Sequence, residues 1–129
     1  MKNRFDRLVR THTALHKVAV LESQKVSNDL TLLREQIEAL KGAANSSAHG
    51  DELSASFAVL CEELRERKTQ AAAHMQLELE KKQAVVAERG VKRKQFEVVQ
   101  ATETRRLQRL LNAREQAESD DRAQRTKRT

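Results

Sequence analysis

Residues 5–40 read FDRLVRTHTALHKVAVLESQKVSNDLTLLREQIEAL, and every seventh position from the first is apolar, with one exception. The series consists of Phe5, His12, Ala19, Val26, Leu33 and Leu40. A seven-residue apolar repeat places side chains along one seam of a helix, as in a coiled coil. We therefore predict a first helix over about residues 4–41, capped at its N-terminus by Asn3.

A second apolar seam accompanies the first. It begins with Leu8 and Leu15, and we expect it to move over by one residue later, to Leu30 and Ile37. Such a shift is typical of a helix with 3.6 residues per turn that is compared with a 3.5-residue repeat.

The strongest break in the chain is the segment GAANSSAHG (42–50). Its small and polar residues interrupt the helical pattern, and Lys41 followed by Gly42 is a favourable helix end. Asp51 and Glu52 favour a new helix start, because acidic side chains stabilise a helix N-terminus. We predict a turn over residues 42–50 and a second helix over about residues 51–122, followed by a basic tail at 123–129.

The apolar pattern of the second helix is strong at first and then thins out. Its first part contains Leu53, Phe57, Leu60, Leu64, Ala71, Met75 and Leu79. The later positions are Val86, Phe96, Val99, Leu107, Leu110 and Leu111, with Lys82, Arg93 and Glu103 interrupting the seam. If the two helices pair antiparallel from the turn, the length of the first helix lets it cover the second only up to about residue 90. Residues 91–122 would then extend beyond it.

The predicted fold is all-α: a long two-helix antiparallel coiled-coil hairpin in which the second helix is longer than the first. Zero prolines, 34% charged residues and only 2% aromatic residues fit long helices rather than a wide core. The length of 129 residues indicates a single domain, residues 1–129. One interrupted rod and a three-helix arrangement broken at Gly90 remain alternatives.

The composition also bears on location. One cysteine excludes an intrachain disulfide, and no apolar run is long enough to cross a membrane. The N-terminus lacks the apolar core of a secretory signal, so we expect a cytoplasmic protein.

Charge is distributed unevenly along the chain. Residues 1–41 hold 8 basic and 5 acidic side chains, residues 42–88 hold 5 and 8, and residues 89–129 hold 12 and 6. An antiparallel hairpin would therefore be basic at its open end and acidic at its turn. Such a basic end would attract an acidic partner.

No residue pattern indicates catalysis. His12 and His16 have a spacing that can hold a metal, but no third ligand lies nearby, so a structural role is favoured. Cys61 lies beside apolar residues at helical spacing and is expected to be a small buried side chain. The chain contains no glycine-rich nucleotide loop. We expect a protein that is not an enzyme and that uses no metal or other cofactor.

A basic cluster in the second half raises the question of nucleic acid. It comprises Arg89, Lys92, Arg93, Lys94, Arg105, Arg106 and Arg109. The strongest heptads precede this cluster rather than follow it, unlike a basic region that runs into a zipper. Phe96 is the one aromatic residue there that could stack on a base. A protein-docking face is therefore favoured, and nucleic acid is not expected as a partner.

Three segments give the chain a resemblance to a known family. They are FDRLVR (5–10), RKQFE (93–97) and REQAESDDRA (114–123). Together with the basic two-helix architecture over the whole chain, they resemble the flagellar FliJ family and the stalk proteins of related type III secretion systems.

The resemblance implies a role in flagellum biogenesis and type III protein export. Family members act as a central stalk of the export ATPase: the paired helix ends insert into its hexameric ring and promote its assembly and activity. They also escort export chaperones and contact the export-gate membrane protein, which brings them to the cytoplasmic face of the inner membrane. The residues that would face the ring are Arg4, Arg7, Arg10, Arg106, Arg109 and Arg114.

The family's gate contact lies near the start of the second helix. The matching positions here are Phe57 and Cys61, with Leu60 and Leu64 beside them and with Gln36 and Leu40 on the facing helix. An alternative is that the apolar members of this group form hairpin core. For the whole protein, the alternatives are a generic coiled-coil adaptor or dimerisation protein and a basic nucleic-acid-associated protein.

Overall fold

The computed structural model describes residues 2–46 and 52–128. These residues form two helices, α1 over Asp6–Ser46 and α2 over Glu52–Arg128. The second helix has 77 residues and the first 41, as the heptad pattern predicts. The all-α hairpin with a longer second helix is therefore confirmed.

Side-chain contacts establish that α1 and α2 run antiparallel. Near the start of α1, Asn3 Nδ2 donates a hydrogen bond of 2.9 Å to Thr104 Oγ1. Near its end, Gln36 Oε1 accepts one of 2.9 Å from Lys68 Nζ. Early α1 residues thus lie beside late α2 residues, and late α1 residues lie beside early ones. Since α2 also continues through Gly90, neither the interrupted rod nor the three-helix alternative is observed.

The first helix ends later than predicted. It continues through Gly42 to Ser46, so the predicted stop at residue 41 is wrong. Gly42 has an ordinary negative φ, and two alanines follow it. Ser46 Oγ donates a hydrogen bond of 3.0 Å to the Gly42 carbonyl. Alanine is the strongest helix former and offsets the glycine. The rest of the predicted turn, residues 47–50, lies outside the described residues.

The second helix also continues further than predicted. It runs through Arg128, so residues 123–128 of the predicted basic tail are helical. Arg125 and Asp121 form an ion pair of 3.3 Å at the favourable i, i+4 spacing. Basic side chains in the last turn also complement the negative end of the helix dipole.

The chain divides into two compact units, and each contains part of both helices. The terminal unit comprises Met1–His16 and Glu88–Thr129, and the central unit comprises Lys17–Ala87. The four buried apolar residues among the described ones all lie in the central unit: Ala19, Leu30, Cys61 and Leu79. Glu103, by contrast, is a buried charged residue of the terminal unit. The two units therefore differ in the chemistry of their helix contacts.

The first seam of α1 is confirmed, and the second is corrected. All six residues of the predicted series are buried or half-buried. The second seam, however, does not move: its members are Val9, His16, Ser23, Leu30, Ile37 and Ala44. Leu8 and Leu15 are exposed instead. An unbroken seven-residue spacing is the pattern of a supercoiled helix, which follows the 3.5-residue repeat instead of drifting against it.

The seam of α2 begins one residue later than predicted. Leu53, Phe57, Leu60 and Leu64 are exposed, whereas the inward positions are Ser54, Ala58, Cys61, Arg65 and Lys68. Further along, Met75 and Leu79 face inward as predicted, and Ala72 faces inward next to the predicted Ala71. The predicted interruptions at Lys82, Arg93 and Glu103 are confirmed, since all three side chains face inward.

The two helices pair over a longer distance than predicted. His12 stacks on Phe96 with ring centroids 4.4 Å apart, and Asn3 Nδ2 donates a hydrogen bond of 2.8 Å to the Gln100 carbonyl. The unpaired segment of α2 thus begins near residue 108 rather than at 91. From 108 to 128, every side chain except the half-buried Leu111 is exposed. The later end of α1, at Ser46 instead of residue 41, accounts for five residues of this difference.

No helix among the described residues has an apolar segment long enough to cross a membrane.

Candidate docking surfaces

The terminal unit is strongly basic. It holds 16 Lys and Arg against 8 Asp and Glu, a formal net charge of +8. The central unit holds 9 against 11, a net charge of −2. All six arginines of the predicted ring-docking set belong to the terminal unit, and all six are exposed. We refer to these six residues as the arginine set.

One carboxylate connects two members of the arginine set. Glu103 Oε1 accepts a hydrogen bond of 2.7 Å from Arg106, and Oε2 accepts a second one of 3.0 Å. Arg4, which precedes α1, approaches the same carboxylate at 3.8 Å and lies over the Phe5 ring at 4.9 Å. Glu103 thereby lies between a basic side chain that precedes α1 and one of α2.

The same geometry explains the charge state of Glu103. Its side chain is only 8% exposed, which by itself would raise its pKa. The hydrogen bonds from Arg106 outweigh this burial and, with the charges of Arg106 and Arg4, lower the pKa of Glu103. The same pairing raises the pKa of Arg106. Both groups are therefore ionised at neutral pH.

An amide network holds the start of the chain against α2. Asn3 Oδ1 accepts a hydrogen bond from the Phe5 amide, as expected for a capping residue, while its Nδ2 reaches Gln100 and Thr104. Gln100 Nε2 in turn donates a hydrogen bond of 2.7 Å to Asp6 Oδ1. Because these bonds need specific partners, they fix the relative register of the helices in this unit.

The other four members of the arginine set have free side chains. Arg7 and Arg10 lie on the first turns of α1, and Arg109 and Arg114 lie on the unpaired segment of α2. Their guanidinium groups form no hydrogen bond or ion pair with any other described residue. All four are available to an acidic partner.

Both candidate metal ligands contact other groups. His12 stacks on Phe96, and His16 Nδ1 lies 3.4 Å from a guanidinium nitrogen of Arg93. A cation beside His16 disfavours a metal ion there. Within the described ranges, no group of three or more potential metal ligands occurs. Both histidines therefore belong to the helix contact of the terminal unit.

The predicted gate-contact residues do not lie on one surface. Phe57, Leu60 and Leu64 are 48%, 58% and 44% exposed, so they are not hairpin core. Gln36 is exposed and bonded to Lys68, Leu40 is half-buried, and Cys61 is buried in the seam. With Leu53, the three exposed residues form a continuous apolar line that we call the leucine stripe.

Some residues of these surfaces were missed by the sequence analysis. Glu103 was noted as an interruption of the seam but not as the residue that organises Arg4 and Arg106. Extending the seven-residue spacing back from Met75 through Lys68 would have placed Cys61 inside and Leu60 outside. The contacts of Asn3 with Gln100 and Thr104 had no sequence signal, because they depend on the helix register.

Comparison with protein-family models, with curated proteins and with solved structures finds no match for this chain.

Proposed function

We propose that this protein is the central stalk of a type III export ATPase, and that the paired helix ends of the terminal unit dock in the ATPase ring. The observation that carries the proposal is the arginine set: six exposed arginines come from both helices of one strongly basic unit. The segment-level resemblance to the FliJ family provides the identity of the partner. A ring lined by acidic side chains would attract this unit over a long distance.

Coupling to ATP hydrolysis would follow from the difference in symmetry between a two-helix stalk and a ring of six subunits. A two-helix stalk can contact only some subunits of a hexamer at one time. If those contacts differ in affinity between the nucleotide states of a subunit, binding shifts the populations of those states. The stalk would then promote ring assembly and turnover without containing any catalytic residue.

The leucine stripe supports the second part of the proposal, contact with the export gate. Exposed leucine and phenylalanine side chains in a continuous line mark an interaction surface. Of the gate-contact residues implied by the resemblance, Phe57, Leu60 and Leu64 are accessible for such a contact. The escort of export chaperones belongs to the same proposal.

The test uses the purified chain with a type III export ATPase at physiological salt. ATP hydrolysis and ring formation are followed with and without the chain. We expect saturable stimulation and hexameric rings, both weakened by Arg7→Glu combined with Arg109→Glu. Both arginines are exposed and have no side-chain partner in the described structure, so the helices should be unaffected.

The matched control is Lys17→Glu combined with Lys25→Glu. It makes the same change in net charge on exposed positions of the central unit. Equal loss in both variants would indicate a non-specific charge effect. Absence of binding and stimulation by the unmodified chain would exclude the stalk function.

The second candidate is a coiled-coil adaptor without an ATPase partner. The leucine stripe favours it independently, because an exposed apolar line on a helix is also suited to a partner helix. The ATPase assay separates the candidates: an adaptor binds its partner but leaves ATP hydrolysis unchanged.

A further inference from the structure

The outer face of α2 carries a group of exposed valines in the terminal unit. Val91, Val98 and Val99 are 55%, 65% and 40% exposed. Val98 lies midway between Phe96 and Gln100, whose side chains both contact α1. Two residues correspond to about 200° around a helix, so the Val98 side chain points away from α1. Positions of this kind are ordinarily polar, because solvent surrounds them.

The valines line a shallow hollow that has the layout of a coiled-coil hole. Its lining consists of Val91, Lys94, Gln95 and Val98, with Val99 beside them. The first four are spaced i, i+3, i+4 and i+7, so they surround one point on the helix surface. In a coiled coil, four residues of one helix form the hole that receives a side chain of the facing helix. The hollow is therefore shaped for one large apolar side chain of another helix.

A second hole follows directly on the same face. Val98, Ala101, Thr102 and Arg105 repeat the four-residue spacing, and all four are exposed. Thr102 Oγ1 donates a hydrogen bond of 3.0 Å to the Val98 carbonyl, so its hydroxyl group is satisfied within the helix. We call the two consecutive holes, on the outer face of residues 91–105, the valine track.

The surroundings of the valine track carry surplus positive charge. Residues 88–109 hold seven basic and three acidic side chains. All three carboxylates form ion pairs within this segment: Glu88 with Lys92, Glu97 with Arg93, and Glu103 with Arg106. Lys94, Arg105 and Arg109, by contrast, form no ion pair or hydrogen bond with another described residue. These three cations are available to carboxylates of a partner.

Shape and charge together select the occupant of the valine track. A helix that lies on a bilayer needs a wide apolar face, whereas the track is a narrow row with Lys94 at its side. A second copy of the chain would have to offer its leucine stripe. Exposed Arg67 continues the line of that stripe seven residues after Leu60, and it would add positive charge to a basic surface. A helix with acidic side chains fits both the holes and the cations.

We propose that an acidic amphipathic helix of another protein docks along the valine track. Two of its apolar side chains, seven residues apart, occupy the two holes, and its carboxylates pair with Lys94 and Arg105. The α2 helix then contacts α1 on one face and the partner helix on the opposite face. The inference does not depend on the export ATPase, and its test contains no ATPase.

The probe is a synthetic peptide of about three heptads, with leucine at the a and d positions and glutamate at e and g. Its binding to the full chain is followed by the fluorescence anisotropy of a dye on the peptide. We expect saturable binding that weakens as salt rises, because salt screens the charges. The matched control peptide has lysine in place of glutamate, and it should bind at least about tenfold more weakly.

Reversing the charges of the valine track provides the decisive measurement. Lys94→Glu combined with Arg105→Glu should weaken binding of the glutamate peptide at least about tenfold and should strengthen binding of the lysine peptide. Because one affinity is gained, unfolding of the variant cannot produce this result. Lys17→Glu combined with Lys25→Glu makes the same change in net charge at exposed positions of the central unit, and it should leave the preference for the glutamate peptide intact.

The apolar part of the contact is tested by Val98→Gln. Val98 is largely exposed and glutamine is a good helix former, so the fold should remain intact while binding of the glutamate peptide weakens. Leu60→Gln, on the leucine stripe, is the matched control and should bind the peptide as the unmodified chain does. Peptide binding that persists in Val98→Gln, or that is lost in Leu60→Gln, would overturn the proposal.

The other occupants are tested with the same variant. Cosedimentation with vesicles that contain phosphatidylglycerol tests a bilayer, and sedimentation of the chain alone over a concentration series tests a second copy. Vesicle binding or self-association that disappears in Val98→Gln would assign the valine track to that occupant and overturn the proposal. Failure of the unmodified chain to bind the glutamate peptide would overturn it as well.

Discussion

Gly90 lies inside α2, where a Cβ atom would come within 3.3 Å of the His16 Nε2 atom. Glycine costs a helix interior about 0.5–1 kcal/mol relative to alanine. We expect Gly90→Ala to stabilise the chain by about that amount only when His16 is also replaced by alanine, and by less in the unmodified chain. Chemical unfolding of the four members of this double-mutant cycle measures the difference.

Gly42 provides the matched control for this cycle. It is also helical, but apart from its chain neighbours and the backbone of its own helix, no atom of the described residues lies within 4 Å of its Cβ position. Gly42→Ala should therefore stabilise the chain by the full amount whether or not His16 is present. An equal gain at Gly90 in both backgrounds would show that the histidine ring does not require the glycine.

The lowered pKa of Glu103 predicts a particular dependence of stability on pH. A carboxylate whose pKa is lower in the folded state contributes stability that is present above the unfolded pKa and lost as pH falls through the folded pKa. The loss should therefore occur below the ordinary value of 4.5. Thermal unfolding of the unmodified chain and of Glu103→Gln over this acidic range measures it.

Glu103→Gln should be less stable than the unmodified chain at neutral pH. Its stability should also fall less than that of the unmodified chain on acidification. Glu118→Gln is the control, because Glu118 is exposed on the unpaired part of α2. Parallel pH profiles for Glu103→Gln and the unmodified chain would contradict the assigned role of the carboxylate.

At the scale of the helix, one buried leucine carries much of the contact in the central unit. Leu30 is the largest side chain that is fully buried in the described structure. Leu30→Ala should lower the free energy of unfolding by about 2–3 kcal/mol, because it removes buried methyl groups and leaves a cavity. Urea unfolding monitored by circular dichroism measures the loss.

Leu32→Ala is the control on the same helix. Leu32 is exposed, so the identical truncation should change the free energy of unfolding by no more than about 0.5 kcal/mol. Similar losses at both positions would indicate that the seam of α1 is not where the structure places it.

The seam residues show how much of the helix contact could be predicted from the sequence. The series from Phe5 to Leu40 was correct because its spacing is regular and its members are mostly apolar. Hydropathy gave the wrong positions at Leu8, Leu15 and Leu60. Two paired helices can bury only the narrow face along which they touch. The surplus leucines must then lie outside, while Arg65 and Lys68 occupy inward positions and extend their charged ends to solvent.

The candidate surfaces were predictable to a different extent. Net charge and its uneven distribution are properties of composition, so the basic character of the terminal residues followed directly from the sequence. The pairing of Arg4 with Arg106 through Glu103 did not, because it requires the register of α1 against α2. That register does not follow from the helix ends, because α1 ends only five residues after the predicted position, whereas Asn3 contacts Gln100 and Thr104 instead of about residue 90.

At the scale of the whole molecule, the two units differ in what holds their helices together. The central unit buries apolar side chains, whereas inward positions of the terminal unit include His16, Arg93 and Glu103. The Arg93 Nε atom is buried without a hydrogen bond among the described residues, and the Glu97 carboxylate, 3.6 Å away, compensates for this only in part. Helix contacts with few buried apolar groups open more readily.

This difference predicts two levels of amide protection from hydrogen exchange. Residues 5–16 and 88–107 should exchange faster than residues 20–40 and 61–86, because opening the terminal unit exposes less apolar surface. Mass spectrometry of deuterium uptake in the full chain measures both. Arg93→Leu should slow exchange in the terminal unit, since it replaces a half-buried cation, paired with Glu97 only at 3.6 Å, by an apolar side chain. Lys94→Leu, one residue away on the exposed side, should not. Uniform protection of both units would show that the chain opens as one cooperative body.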